Sequence, residues 1–211
     1  MSRLAFLFIF LLHLFQSPQT LYTRMVDTVE SSIFRLSHDA EVITERGPQT
    51  HQAVCSGIAI APHRILTAAH CLSADYPMYA DGLPAKILKV NLQDDLALLA
   101  TSGTRPLLTI SPESIQLYDR LTAIGYAYGN PRLSVLQVAP FQLHMRDPGD
   151  ARSTIGILVQ PGYIGGMSGG PLVNAEGQLV GIIQRRADEG VGYGVGVEVL
   201  RVFLLGEDEG R

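Results

Sequence analysis

Residues 165–171 read Gly165-Gly166-Met167-Ser168-Gly169-Gly170-Pro171. A hydroxyl side chain sits inside a run of glycines, just before an apolar segment. Taken alone, such a cluster is a tight turn between strands, because glycine reaches backbone conformations closed to other residues. Short apolar stretches lie on both sides of it. Residues 154–159 precede it, residues 171–174 and 178–184 follow, and residues 192–199 lie beyond. Asn174-Ala175-Glu176-Gly177, between two of these runs, signals a hairpin. Toward the N terminus the pattern continues through residues 53–61, 64–68, 85–90, 96–100, 120–126 and 134–138. Short strands punctuated by Gly, Pro, Asn and Asp indicate an all-β sandwich or barrel. Helical spacing is convincing at the C terminus alone, where Val199, Val202 and Phe203 recur before Gly206. Residues 104–118, with two prolines and weak periodicity, read as a linker between halves.

Composition narrows the class further. The 211 residues are 46% hydrophobic and 17% charged, too apolar for a disordered chain. Sixteen Lys and Arg against 20 Asp and Glu give a net charge of −4, so no electrostatic footprint for nucleic acid is present. The N terminus stands apart. Met1-Ser2-Arg3 is a basic start, residues 4–15 are apolar except for His13, and residues 16–20 form a polar exit. That is the layout of a secretory leader. The run is too short for a bilayer core of about 30 Å, which takes roughly 20 residues. Residues 1–20 are therefore expected to be a signal peptide cut after Ser17 or Thr20, with an uncleaved anchor as the alternative. The protein is expected to be secreted or periplasmic, touching a membrane only through this segment.

Two further motifs carry polar chemistry. Thr67-Ala68-Ala69-His70-Cys71 places a histidine after two small residues. Asp94-Asp95-Leu96-Ala97-Leu98-Leu99 places acids before an apolar strand. Each has a plain reading on its own: a hydrogen-bonded structural histidine and an exposed turn acid. Together with the Ser168 cluster, in the order His, Asp, Ser, they resemble the signatures of the chymotrypsin/trypsin-type serine proteases. Chain order is informative, because other folds reach the same constellation in different orders. The resemblance runs from about Met25 to Phe203.

The resemblance implies an all-β fold of two six-stranded antiparallel Greek-key barrels with a short C-terminal helix. It divides the chain into an N-terminal lobe over residues 21–108 with His70 and Asp95, and a C-terminal lobe over residues 109–211 with Ser168. It makes Ser168 the nucleophile, His70 the general base and Asp95 the orienting acid, with Asp94 the rival for the last role. The chemistry needs these types. A serine hydroxyl is a poor nucleophile until a base takes its proton. Histidine takes up and returns a proton near neutrality. A carboxylate on the other ring nitrogen fixes the tautomer and stabilises the imidazolium. The N–H groups of Gly166 and Ser168 are implied as the oxyanion hole. Cys55 and Cys71 match the family's disulfide beside the catalytic histidine.

Met167 departs from the digestive relatives, where an acid before the nucleophile pairs with a freed amino terminus. The chain looks instead like the bacterial HtrA/Deg branch. That likeness rests on Asp95-Leu96-Ala97-Leu98-Leu99, Ala123-Ile124-Gly125-Tyr126, Gly169-Gly170-Pro171-Leu172-Val173-Asn174 and Gly192-Tyr193-Gly194-Val195-Gly196. That branch usually adds a peptide-binding PDZ domain, and a protease unit without one is expected here. The resemblance implies that Gly162 stands at the floor of the primary specificity pocket, and that Ile183 and Gln184 belong to the strand that pairs with substrate. With no acid at Gly162, a cationic preference would need Asp188 or Glu189, and small or medium apolar side chains are favoured. The expected partner is a polypeptide substrate, with no cofactor. No metal is expected either, since His51, His63 and His70 lack a matching carboxylate or Cys set. A catalytically inactive binding protein and an esterase-like acyl hydrolase are the competing readings.

Overall fold

In the computed structural model, residues 17–45, 47–127, 130–145, 156–186 and 190–205 are described. Helix α1 spans Pro18–Glu30. Strands β1 (Ile33–Thr44), β2 (Gly47–Ala61), β3 (Arg64–Ala68), β4 (Met78–Ala80), β5 (Leu83–Asn91) and β6 (Leu96–Thr101) follow. They close into one antiparallel barrel in the order β1-β2-β3-β6-β5-β4. Strands β7 (Leu121–Tyr126), β8 (Leu133–Met145), β9 (Gly156–Gln160), β10 (Pro171–Val173), β11 (Leu179–Arg186) and β12 (Gly192–Gly196) close a second, in the order β10-β11-β12-β9-β8-β7. Helix α2 (Val197–Leu205) ends the described chain. The expected all-β fold of two six-stranded barrels with a C-terminal helix is the fold observed.

Register follows the apolar pattern. In β6, Leu96, Ala97, Leu98 and Leu99 are all fully buried. A run buried on both faces is sealed inside and cannot slip without exposing apolar area. Strand β6 pairs with β3 from Arg64↔Ala100 to Ala68↔Leu96. That pairing sets the end of β3 beside the start of β6. A hydrophobic cluster joins the barrels to both helices, holding Val29, Ile58, Leu98, Ile124, Ile182, Leu200 and Phe203.

Three local readings need correction. A helix was expected at the C terminus alone, yet α1 forms at residues 18–30. Ser17-Pro18 reads as a turn, but Ser17 caps the helix by accepting from Thr20 N–H, and Pro18 supplies a preset first helical residue. The end of α1 is anchored by Val29, which is buried in the shared core. Strand β1 was not read at all. Four of its residues 37–41 are polar, and pairing with β2 from Ile33↔Ile58 to Thr44↔Gly47 makes them a strand. In α2 the buried stripe is Val197, Leu200 and Phe203, while Val202 is 73% exposed. Residues 1–16 of the expected leader lie outside the described residues, as do Asp188, Glu189 and Gly206.

Candidate active site

The β3–β6 register carries straight into the site. Past Ala68 the chain makes a single 3-10 turn, Ala69–Cys71. Ala69 N–H donates to the Asp95 carbonyl at 3.0 Å, and His70 N–H donates to Asp95 Oδ1 at 2.8 Å. The other carboxylate oxygen, Oδ2, lies 2.7 Å from His70 Nδ1. Both oxygens of Asp95 are thus spent on one histidine, fixing its ring. Asp95 adopts a left-handed backbone, φ 51°, which Asp tolerates better than most residues. Asp94 goes elsewhere: its N–H donates to Asn91 Oδ1 and its carboxylate accepts from Asn91 Nδ2. Of the two adjacent acids, Asp95 is the one at His70.

Cys55 and Cys71 form a disulfide, with Cα atoms 6.0 Å apart. It ties the 3-10 turn bearing His70 to strand β2.

Ser168 sits on a turn between the barrels. Met167 N–H donates to the Ile164 carbonyl at 3.2 Å, and Gly166 at the third position of that turn has φ 93°. Positive φ there is the type II form, which glycine supplies without strain. Met167, expected to be unable to pair with an amino terminus, is fully buried in the second barrel's core. Among the described residues, the N–H groups of Gly166 and Ser168 donate to no protein acceptor. The Ser168 hydroxyl donates to the Gln184 carbonyl at 2.5 Å, and no hydrogen bond joins it to His70. Gln184 also reaches the other barrel, its Nε2 donating to the Asp94 carbonyl at 2.7 Å.

One positioning residue escaped the sequence reading. Ser56 is fully buried and stitches the two barrels together at the Ser168 turn. Its N–H donates to the Ser168 carbonyl at 2.8 Å, and its hydroxyl donates to the Gly166 carbonyl at 3.2 Å. The same hydroxyl accepts from Tyr126 N–H at 2.9 Å, and the Ser56 carbonyl accepts from the Thr67 hydroxyl at 2.8 Å. A serine after a cysteine carries no local signal for this. Its partners lie as far as 110 residues away.

The specificity candidates are also placed. Gly162 is packed so closely that a Cβ would stand 2.7 Å from the Gly190 backbone. Its neighbour Tyr163 is buried, and its ring covers β12: a Cβ at Gly192 would come within 2.5 Å of it. Among the described residues the Tyr163 hydroxyl has no hydrogen-bond partner, and burial pushes its pKa upward. Ile183 buries its side chain and commits its backbone to the Ser168 turn, accepting from Gly169 N–H and donating to the Gly170 carbonyl. The Gln184 carbonyl is the group on this strand that faces the Ser168 hydroxyl. An orphaned buried hydroxyl costs about 1–3 kcal/mol. Tyr163→Phe is therefore expected to raise stability by about 1 kcal/mol in urea unfolding. A clear loss of stability would mean that the hydroxyl is hydrogen-bonded in the folded protein.

One group of potential metal ligands among the described residues, Cys55, His70 and Cys71, has donor atoms within 4.8 Å of one another, although both sulfurs are spent in the disulfide.

Comparison with known proteins gives a consistent picture. A family profile described as "Trypsin-like peptidase domain" matches residues 55–182. "Protease Do-like 2, chloroplastic" from Arabidopsis thaliana is 27% identical over 167 residues, covering 71% of this chain. The chain spans about a quarter (27%) of that relative's length. Among solved structures, the active form of the Rv3671c protease from M. tuberculosis superposes with a TM-score of 0.73 at 21% identity, covering 90% of this chain and 86% of that one. The HtrA-type protease AlgW with a decapeptide superposes at 0.74 and 19% identity, covering 87% and 66%.

Proposed function

This chain belongs to the trypsin-like peptidase domain family, and from that premise we propose that it is an extracytoplasmic serine endopeptidase working through an acyl-enzyme. Ser168 Oγ attacks the carbonyl carbon of the scissile peptide bond while His70 Nε2 takes its proton. Asp95 keeps the other ring proton on Nδ1 and stabilises the imidazolium. The developing oxyanion is held by the N–H groups of Gly166 and Ser168, whose lack of protein acceptors supports that role. His70 then returns the proton to the leaving amine, and water repeats the sequence on the acyl-enzyme.

The observation that carries this reading is the 2.7 Å contact between His70 Nδ1 and Asp95 Oδ2. In the resting enzyme the Ser168 hydroxyl occupies the Gln184 carbonyl. A substrate N–H that pairs with that carbonyl releases the hydroxyl to His70. Catalytic hydrogen bonds often tighten in this way when substrate binds. The substrate is a polypeptide, laid along the Gln184 edge as an added strand. The disulfide supports export from the cytosol, with residues 1–20 as the leader or anchor.

Gly162 is crowded by the Gly190 and Val191 backbone and Tyr163 covers Gly192 and Gly194 beside it, so we assign a preference for small apolar side chains before the cut. Tyr163→Val is expected to shift the preferred residue from Ala or Val toward Leu or Phe. Cleavage-site profiling of a peptide library with wild type, Tyr163→Val and Ser168→Ala tests both claims. An unchanged preference removes Tyr163 from the pocket, and equal cleavage by Ser168→Ala removes the protease reading. An esterase would hydrolyse small acyl esters but not the library. An inactive binding protein would do neither.

A further inference from the structure

The reaction above uses His70 and leaves the two neighbouring sulfurs as a structural bridge. We propose that, once the Cys55–Cys71 disulfide is reduced, Cys55, Cys71 and His70 bind one thiophilic divalent cation, zinc(II) being the fitting species. The bound ion closes the active site.

The chemistry balances with a dithiol as reductant. The dithiol gives two electrons and two protons to the protein disulfide, becomes a disulfide itself and leaves two protein thiols. The cation then binds as the thiols release their protons to solvent.

Geometry favours the site. Zinc bonds of about 2.3 Å to sulfur and 2.0 Å to nitrogen place tetrahedral donors roughly 3.3–3.8 Å apart. The two sulfurs and one His70 ring nitrogen already lie within 4.8 Å of one another, so side-chain rotation that parts the freed sulfurs and draws in the ring closes the set. The backbone is held independently of the bridge. Cys55 pairs with Leu36 in the β1–β2 ladder, and Cys71 ends a turn fixed by the Ala69 N–H bond to Asp95. Asp95 Oδ2 already holds Nδ1, leaving Nε2 as the ligand nitrogen. A carboxylate behind a metal-binding histidine fixes its tautomer and strengthens the ligand. Access is open, since the His70 side chain is 43% exposed. The Cys71 sulfur lies 3.6 Å from the Ser168 carbonyl oxygen, so the site adjoins the turn that bears the nucleophile. Spacing alone did not single out this set, because both cysteines were assigned to the disulfide.

Cobalt(II) serves as the spectroscopic probe. It is titrated into the folded chain after dithiol reduction and removal of the dithiol, and thiolate-to-cobalt charge-transfer absorbance is read. The expected result is one saturable cobalt per chain, displaced by zinc and absent before reduction. His70→Ala is expected to weaken binding at least tenfold, and the Cys55→Ser, Cys71→Ser pair to abolish the band. The proposal is overturned by absence of the band in the reduced chain. It is equally overturned by binding that ignores these substitutions, or by loss of the strand signal in circular dichroism on reduction. A second arm measures peptide hydrolysis. Zinc is expected to stop the reduced enzyme and spare the oxidised one. This arm alone rests on His70 as general base. If cobalt binds while hydrolysis by the reduced enzyme ignores zinc, the closure of the active site is overturned and the metal site stands. An oxidised chain that never hydrolyses peptides sinks the protease reading instead.

Discussion

Asp95→Asn is expected to lower kcat about 10⁴-fold while leaving the protein folded and KM nearly unchanged. The reason is the direction of one hydrogen bond. Asp95 Oδ2 accepts from His70 Nδ1, so the ring carries its proton there and Nε2 is free to receive another. An amide at this position presents a donor to Nδ1. The proton then settles on Nε2, and the ring cannot take a proton from Ser168. Folding should survive, because asparagine tolerates the left-handed backbone at this position, φ 51°. Its oxygen also still accepts the His70 N–H. A loss of less than tenfold, with circular dichroism unchanged, would show that Asp95 does not orient the base.

Gly169→Ala is expected to be the most damaging single methyl among the described glycines, costing at least about 4 kcal/mol or abolishing folded protein altogether. A Cβ there would stand 2.1 Å from the Ser56 carbonyl oxygen and 2.2 Å from the Thr67 hydroxyl, and the backbone has φ 82°. Neither neighbour can yield. Ser56 is bonded at its N–H and carbonyl, and Thr67 is fully buried. Gly82 is the control. It also has positive φ, 80°, but a Cβ would meet nothing within 4 Å. Gly82→Ala should cost only the left-handed penalty of about 1–2 kcal/mol. Urea unfolding of the two variants separates close packing from backbone strain. Equal, small losses would mean that the Ser168 turn has room the structure does not show.

What could be read from the sequence follows from how local each signal is. His70, Asp95 and Ser168 sit in short motifs whose neighbours in the chain are also their neighbours in space. Leu96 and Ala68 pair in the β3–β6 ladder, so the acid and the histidine are brought together by strands that the apolar pattern already marks. Most of the short strands were legible for the same reason, whereas the two-barrel arrangement was implied by the family resemblance alone. Ser56 was not, because its importance lies in bonds to Gly166, Ser168 and Tyr126, which the chain brings close only after both barrels form. Tyr163 likewise looks like any core aromatic until β12 is laid beneath it with glycines at Gly192 and Gly194. Strand β1 and helix α1 were missed through polarity. Exposed positions dominate α1 and polar residues fill the middle of β1, and tertiary pairing or a single buried Val29 decides their structure. Nor does spacing show how the resting Ser168 hydroxyl turns to Gln184.

The central claim is that Ser168 is a nucleophile activated by His70. Reaction of the folded protein with a fluorophosphonate, followed by intact mass and peptide mapping, tests it most directly. The account predicts a single adduct, on Ser168, formed rapidly in wild type and lost in His70→Ala. No adduct on the folded protein, or one mapped to another residue, would contradict it.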